Sequence, residues 1–522
     1  MWNGRAFDEL SWGELADHGL RAAGALRRLG AGARAGVVFT NEIGALAALL
    51  GTWFAGAAPV SMPLPARGVS HGAYRRQLEA LSRRAGVELL LVSDTIAPLL
   101  GDTGRDMRIV RFGELARGSP ARPSPPSGEE VVFVQCSSGT TGDPQGCELT
   151  GAAVARQLEL VAERIGAAID GRYASWLPLS HDMGMFGLLL ALYAEMPALL
   201  SSPERFLMRP RSWLDDCGDF GATLTAVPPS ALDLAVRAAR GRPPGPALRL
   251  RTCVVGAEPI AWDSLARSVS ALGDRGLTWP VLTPAYGLAE ATLAVTMKAP
   301  GTVPSALDLD ADALARGRVA CRAEPDPGTV RLVSCGSPLR EVELDVEGDA
   351  DVGTVRISSP SLASGYLADP ARTAEAFDDG WLRTSDLGFV QDGELYVVGR
   401  SDDVLTPGGR NVNATQVERE LDLDPGVRTG CCGLVEVGAG GERLLVLVAE
   451  RSHAEGPSSA VASRLSQRVG GLLGRGLDQC VFVPRGTFPK TPTGKVQRHR
   501  CRAIAQGLEP VGAERFDLER DG

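Results

Sequence analysis

Residues 35–57 read AGVVFTNEIGALAALLGTWFAGA. The opening AGVVFTN, Ala35 to Asn41, is short, apolar and partly β-branched, which predicts a buried strand. From Ile43 the apolar run lasts long enough for three helical turns. The same alternation recurs along the chain. AYRRQLEALSRRAG at 73–86 precedes VELLLVSD at 87–94, and LRTCVVGAEPI at 250–260 precedes AWDSLARSVSALG at 261–273. Strands alternating with helices predict an α/β fold with largely parallel sheets. After residue 340 the pattern changes to VELDV, TVRISS and ELYVV, short alternating strands with glycines between them, which predict a small antiparallel β-barrel or sheet. A compact α+β segment is expected from Asn411 onward. ARGSPARPSPPSG at 116–128 reads as an exposed linker, too proline-rich to pack.

Composition narrows the function classes. A net charge of −9 over 522 residues offers no basic field for nucleic acid or an anionic membrane. The N-terminal segment has neither the basic cap nor the apolar core of a signal peptide. The run LLLALYAEMPALL is interrupted by Glu195 and Pro197, so no membrane span is expected. Ten cysteines without a CxxC pair read as reduced core residues of a cytoplasmic protein, and five scattered histidines form no transition-metal motif. Of 54 basic residues only Lys298, Lys490 and Lys495 are lysines, and the last two share the stretch FPKTPTGKVQR. Each is a candidate for a task that suits a compact ammonium on a flexible stem better than guanidinium.

VVFVQCSSGTTGDPQGCELT, residues 131–150, runs an apolar strand into a loop of small hydroxyls and glycines. Backbone N–H groups there can converge on phosphate oxygens, and Ser137, Ser138, Thr140 and Thr141 can donate further hydrogen bonds. The glycine spacing and terminal lysine of a P-loop are missing, and alone such a loop reads equally as a surface turn.

Four further stretches follow in order: YGLAEAT at 286–292, LRTSDLG around Asp386, GRSDDVLTPGGRNVNATQVE from Gly399, and FPKTPTGKVQR. The ordered set resembles the adenylate-forming, acyl-activating superfamily from about residue 130 to the C-terminus. That resemblance implies attack of a carboxylate on the α-phosphate of ATP, giving acyl-AMP and pyrophosphate, and then displacement of AMP by a thiol. It also implies a large N-terminal domain, residues 1–401, and a small mobile C-terminal domain, residues 402–522.

The resemblance assigns roles to individual residues. Ser137, Ser138, Gly139, Thr140, Thr141 and Gly142 would hold phosphates. Tyr286, between Ala285 and Gly287, would stack on adenine, with the Gly256-Ala257-Glu258-Pro259 turn on the other side of the purine. Glu290 would hold Mg²⁺. Asp386 would accept the ribose hydroxyls, with Arg400 beside them. Lys495 would bridge the attacking carboxylate and the α-phosphate. Asp402 would be the hinge, and the segment with Gly408 and Gly409 would admit the arm of CoA or of a carrier protein's phosphopantetheine.

Within the superfamily the chain is most similar to the fatty acyl-AMP ligase branch. ASWLPLSHDMGMFG resembles the gate segment of that branch, making His181 a candidate catalytic residue, and residues 308–339 resemble its insertion. The acyl pocket is expected from Trp176, Met183, Gly187, Val227, Pro228 and Pro284, an apolar lining suited to a fatty or polycyclic acid. The acceptor, CoA or acyl carrier protein, stays open.

One position departs from the family pattern. Where relatives read Pro-Lys-Gly, this chain reads Pro144-Gln145-Gly146, with Asp143 and Glu148 nearby. Losing one charge-assisted hydrogen bond is worth about 1.5–3 kcal/mol, which slows a step roughly ten- to hundred-fold. The expectation is impaired adenylation with thioester formation retained, the acyl-adenylate then coming from a separate adenylating enzyme. Three alternatives stay open: a fully competent two-step ligase loading a carrier protein, a silent AMP-binding protein, and a serine hydrolase using Ser70 of GVSHG, whose preceding MPLPAR is a poor elbow strand.

Overall fold

The computed structural model describes residues 1–65, 69–101, 107–136, 145–166, 170–326, 328–405, 412–438, 443–452, 457–490, 496–509 and 512–518. Two seven-stranded sheets dominate its N-terminal part. In the first, Arg34–Val37 lies in parallel between Ala58–Ser61 and Leu89–Val92. Val131–Cys136 and Arg108–Arg111 extend this sheet on its two sides. Leu89 to Val92 are all buried, as strands covered by helices on both faces must be. The helix predicted after Asn41 spans Ile43–Ala55 and stops at Gly56, whose φ of 85° places it in the left-handed region that closes helices. Gly146–Thr150 and then Gly365–Tyr366 add an antiparallel edge, so the strand leaving the phosphate loop is paired on both sides.

In the second sheet Leu282–Gly287, Thr252–Val255, Leu224–Val227, Tyr173–Ser175 and Ala198–Leu200 are parallel, and Ala294–Met297 with Ser337–Pro338 add an antiparallel edge. Val227, Val255 and Pro284 lie level in three neighbouring strands, the last of which runs on to Gly287. Beyond it, Glu343–Glu347, Gly353–Ser358, Phe377–Asp378, Trp381–Gln391 and Glu394–Arg400 form the expected antiparallel sheet. A smaller α+β part follows, in which Val427–Val437, Leu444–Arg451, Gln479–Val483 and Glu514–Asp517 form one sheet with apolar clusters on both faces.

One expectation is corrected in part. The proline-rich stretch at 116–128 is mostly exposed, as expected, yet it is fastened to the helices beside it: the Ala121 N–H donates to the Leu20 carbonyl and the Ser124 N–H to the Phe54 carbonyl. A Cβ on Gly24 would lie 1.9 Å from the Ser119 oxygen. Proline removes backbone donors but not acceptors, so such a segment can still dock by its backbone. The segment 308–339 packs against the antiparallel sheet. Ala306–Asp310 pairs with Thr329–Val333, and Leu309 and Leu314 pack with the stacked rings of Phe389 and Tyr396.

Lys298 has a structural task. Its Nζ donates to the Pro280 carbonyl at 3.1 Å and the Thr302 carbonyl at 2.5 Å, and burial lowers the ammonium from 10.5 to about 8. Between those values the unfolded chain holds a proton that the folded chain has released, so stability should rise with pH across this window. Lys298→Met should flatten the rise, measured as thermal unfolding from about pH 7.5 to 10.

Candidate functional site

The ends of the neighbouring strands Leu224–Val227, Thr252–Val255 and Leu282–Gly287 bring the Gly256–Pro259 turn and Ala285–Gly287 to one end of the sheet, where open α/β sheets bind ligands. Val227 and Pro284 both pair with Val255, and the Gly256 N–H donates to the Val227 carbonyl at 3.4 Å. Ala257 has a φ of 67°, uncommon for a residue with a Cβ, and turns the chain so that Glu258 points back to Ser230. The Glu258 carboxylate accepts from the Ser230 N–H and Oγ, both at 3.0 Å, at the start of helix Pro229–Ala239. A carboxylate there complements the helix dipole.

Tyr286 links this edge to the antiparallel sheet. Its hydroxyl donates to Asp386 Oδ2 at 2.6 Å. Burial, and then the Asp386 carboxylate, hold the phenol well above its ordinary pKa, so it stays a donor. Asp386 pairs in register with Arg400, whose Nε lies 3.6 Å from Oδ1. One Asp386 oxygen is thus engaged by protein, which narrows the expectation that this carboxylate takes both ribose hydroxyls. Gly287 is demanded by space: a Cβ there would sit 1.8 Å from the Leu293 carbonyl oxygen. Gly287→Ala should displace Tyr286 and weaken AMP binding more than about tenfold, read by calorimetry on protein with unchanged circular dichroism.

Glu290 lies on the short turn Ala289–Ala291 and accepts from the Tyr366 hydroxyl at 3.0 Å. Its backbone carbonyl accepts from the Ala363 N–H at 2.8 Å. Tyr366 was not anticipated from the sequence, because the surrounding SLASGYLADP has no distinctive spacing. The tyrosine belongs to the strand paired with Cys147 and Glu148, so Glu290 and the stem of the phosphate loop share one neighbour.

Gln145 opens that stem. Its Oε1 is buried and has no hydrogen-bond partner among the described residues. Glu148 forms an ion pair with Arg34, so it contributes less negative potential here than the sequence suggested. Gln135, at the other end of the loop, donates through Nε2 to the Ser180 carbonyl at 3.1 Å, and Ser61 Oγ donates to the same carbonyl. These bonds anchor the turn carrying His181, whose Nδ1 lies 2.5 Å from Asp182 Oδ1.

Four of the expected acyl-pocket residues meet. Trp176 and Val227 share one buried cluster, Met183 packs against it, and Pro228 begins the helix that covers it. Trp176 is stacked on Phe206, 3.7 Å between centroids. Gly187 does not join them: it faces the Tyr173 hydroxyl, which belongs to the other core cluster, and a Cβ there would come within 2.3 Å of that oxygen. Ser70 caps helix His71–Ala85 by accepting from the Ala73 N–H, a structural task that leaves the hydrolase reading without support. Ser137, Ser138, Gly139, Thr140, Thr141, Gly142, Gly408, Gly409 and Lys495, and the side chain of Asp402, lie outside the described residues. Among the described residues no helix is long and apolar enough to cross a membrane, and no group of three metal-ligating side chains occurs.

Comparison with known proteins agrees with this geometry. The family model described as AMP-binding enzyme matches residues 4–367. The chain is 31% identical to the medium-chain-fatty-acid–[acyl-carrier-protein] ligase JamA of Moorena producens over 72% of this chain and 67% of that one. It is 30% identical to a putative ligase of Mycobacterium tuberculosis over 94% and 93%. A solved structure from work on fatty acyl-adenylate ligases of E. coli and L. pneumophila superposes with a TM-score of 0.88 over 97% of this chain and 94% of that one, at 24% identity.

Proposed function

We propose, on the premise that this chain belongs to the AMP-binding enzyme family and is an adenylate-forming acyl ligase, that it converts an apolar carboxylic acid to a thioester through acyl-AMP. The ATP-dependent half-reaction is weakened at Gln145 and the thiol-dependent half is retained. The observation that carries this reading is the Gln145 amide, a buried oxygen without a donor among the described residues, at the stem of the expected phosphate loop. A neutral amide there supplies less attraction for a developing phosphate charge than an ammonium would.

The remaining roles follow from chemistry. Tyr286 and the Gly256–Pro259 turn bind adenine, Asp386 with Arg400 binds the ribose, and Lys495 steadies the carboxylate and α-phosphate oxygens as the bond between them forms. His181, steered by Asp182, borders the reacting carboxylate. Glu290, held by Tyr366, would hold Mg²⁺, and a single carboxylate suits that ion at a phosphate site. The ion would neutralise phosphate charge. Residues from 402 onward act as the mobile domain, with Gly408 and Gly409 along the thiol's path. Asp233, just past the Val227–Leu232 segment, is engaged by Arg267 at 3.2 Å, which favours an apolar acid over an amino acid.

JamA, by its name, loads an acyl carrier protein. A phosphopantetheinyl carrier protein is accordingly the acceptor proposed here. Radiolabelled acyl transfer from acyl-AMP to carrier protein and to CoA tests this; transfer to CoA alone overturns it. Asp386→Asn should weaken AMP binding about ten- to hundredfold, the range for one charge-assisted hydrogen bond, measured by calorimetry.

A further inference from the structure

Arg498 is the last residue of FPKTPTGKVQR and begins helix Arg498–Ala505. Its side chain is 6% exposed and is held by three residues from two separate segments, the turn Ser401–Asp403 and the helix Ala414–Leu421. Nε donates to Asp403 Oδ1 at 2.6 Å. Nη2 donates to Thr415 Oγ1 at 2.8 Å and Glu418 Oε2 at 3.0 Å, and Nη1 donates to Glu418 Oε1. Glu418 Oε1 also accepts from the Leu434 N–H at 2.6 Å, which ties the cluster to strand Val427–Val437.

These partners stand at the roots of two expected functional segments. Residues 406–411 lie between Leu405 and Val412, which pair as neighbouring strands, with Asp403 just before the first and Thr415 just after the second. Residues 491–495 lie between Lys490 and Val496, which form an antiparallel bridge reinforced by the Gln497 N–H donating to the Pro489 carbonyl at 3.0 Å. One guanidinium thus holds the stem of the segment with Gly409, the stem of the segment with Lys495, and the turn Ser401–Asp403 that leads out of the N-terminal part.

We infer that Arg498 is a positioning residue that couples the stem strands Val404–Leu405 and Val412–Asn413, the stem at residues 496–497 and the turn Ser401–Asp403, so that the two stems hold a fixed relation to each other and to the turn. The inference rests on the ligase reading for its meaning, since the two segments would serve successive half-reactions. The coupling itself is a property of the chain and can be measured without substrate. A buried arginine suits the task because its planar fork reaches three partners at fixed angles, which a lysine ammonium cannot do. A cluster serving stability alone has no need to contact the connecting turn, whereas the Asp403 bond does just that.

Amide hydrogen exchange on the full chain tests the coupling. In Arg498→Lys, residues 404–405 with 412–413 and residues 496–497 should lose protection together, by similar factors of about tenfold or more. Strand Leu444–Arg451 should keep its protection. Faster exchange at 496–497 alone would overturn the coupling, as would no change at either stem. Uniform loss throughout the sheet would point to the fold rather than to positioning. If Arg498→Lys does not fold, Asp403→Asn and Thr415→Val leave the Glu418 pair in place and carry the same comparison. In the folded variant the kcat of both half-reactions should fall together while the KM for ATP is unchanged; loss confined to adenylation would also contradict the inference. A wild-type chain making neither adenylate nor thioester would remove the ligase reading while the exchange result still stands.

Discussion

Gln145→Lys should raise ATP–pyrophosphate exchange about ten- to hundredfold, the kinetic equivalent of one charge-assisted hydrogen bond. The position is the first described residue after the phosphate loop, and it leads directly into the strand that pairs with Gly365–Tyr366. An ammonium reaching past the stem would meet phosphate oxygens, while the present amide carbonyl meets no donor among the described residues. Arginine is abundant elsewhere, so a cation here was available to this composition and is missing. Because Glu148 is paired with Arg34, local negative charge is a smaller obstacle than the sequence implied, and the missing cation itself becomes the main term. Equal exchange in both proteins would show that charge at this position does not limit the step.

Lys495→Ala should lower acyl-adenylate formation more, by about 10²- to 10³-fold, because a positioned cation in a site shielded from water stabilises the charge that develops in the transition state. Thioester formation from preformed acyl-AMP should change less than about threefold, since that step uses the other segment of the C-terminal part. Rapid-quench analysis of each half-reaction checks this split. Loss of both halves would instead point to damage of the C-terminal fold.

The α/β class was legible because strand and helix periods differ and the early runs are long; Ile43–Ala55 appears where the sequence placed it. The residues expected at the nucleotide site stood out as motifs because the ends of neighbouring strands need distinctive residues, such as Gly287, which has no room for a Cβ. Tyr366, Ser230 and Arg498 were not legible as site residues. Each acts through partners at least 28 positions away, and one sequence carries no signal that joins them. Trp176 and Gly187 were grouped because they share a stretch, yet they belong to opposite sides of the sheet. The proline-rich stretch misled because composition describes side chains, whereas its docking is done by backbone groups.

Purified protein given either acid with ATP or preformed acyl-AMP, each with a phosphopantetheinyl carrier protein, tests the central claim most directly. The account predicts thioester at a high rate from the adenylate and at a rate lower by about ten- to hundredfold from acid with ATP, that deficit being relieved by Gln145→Lys. Equal rates from both routes, unchanged by that substitution, would contradict it and leave an ordinary two-step ligase.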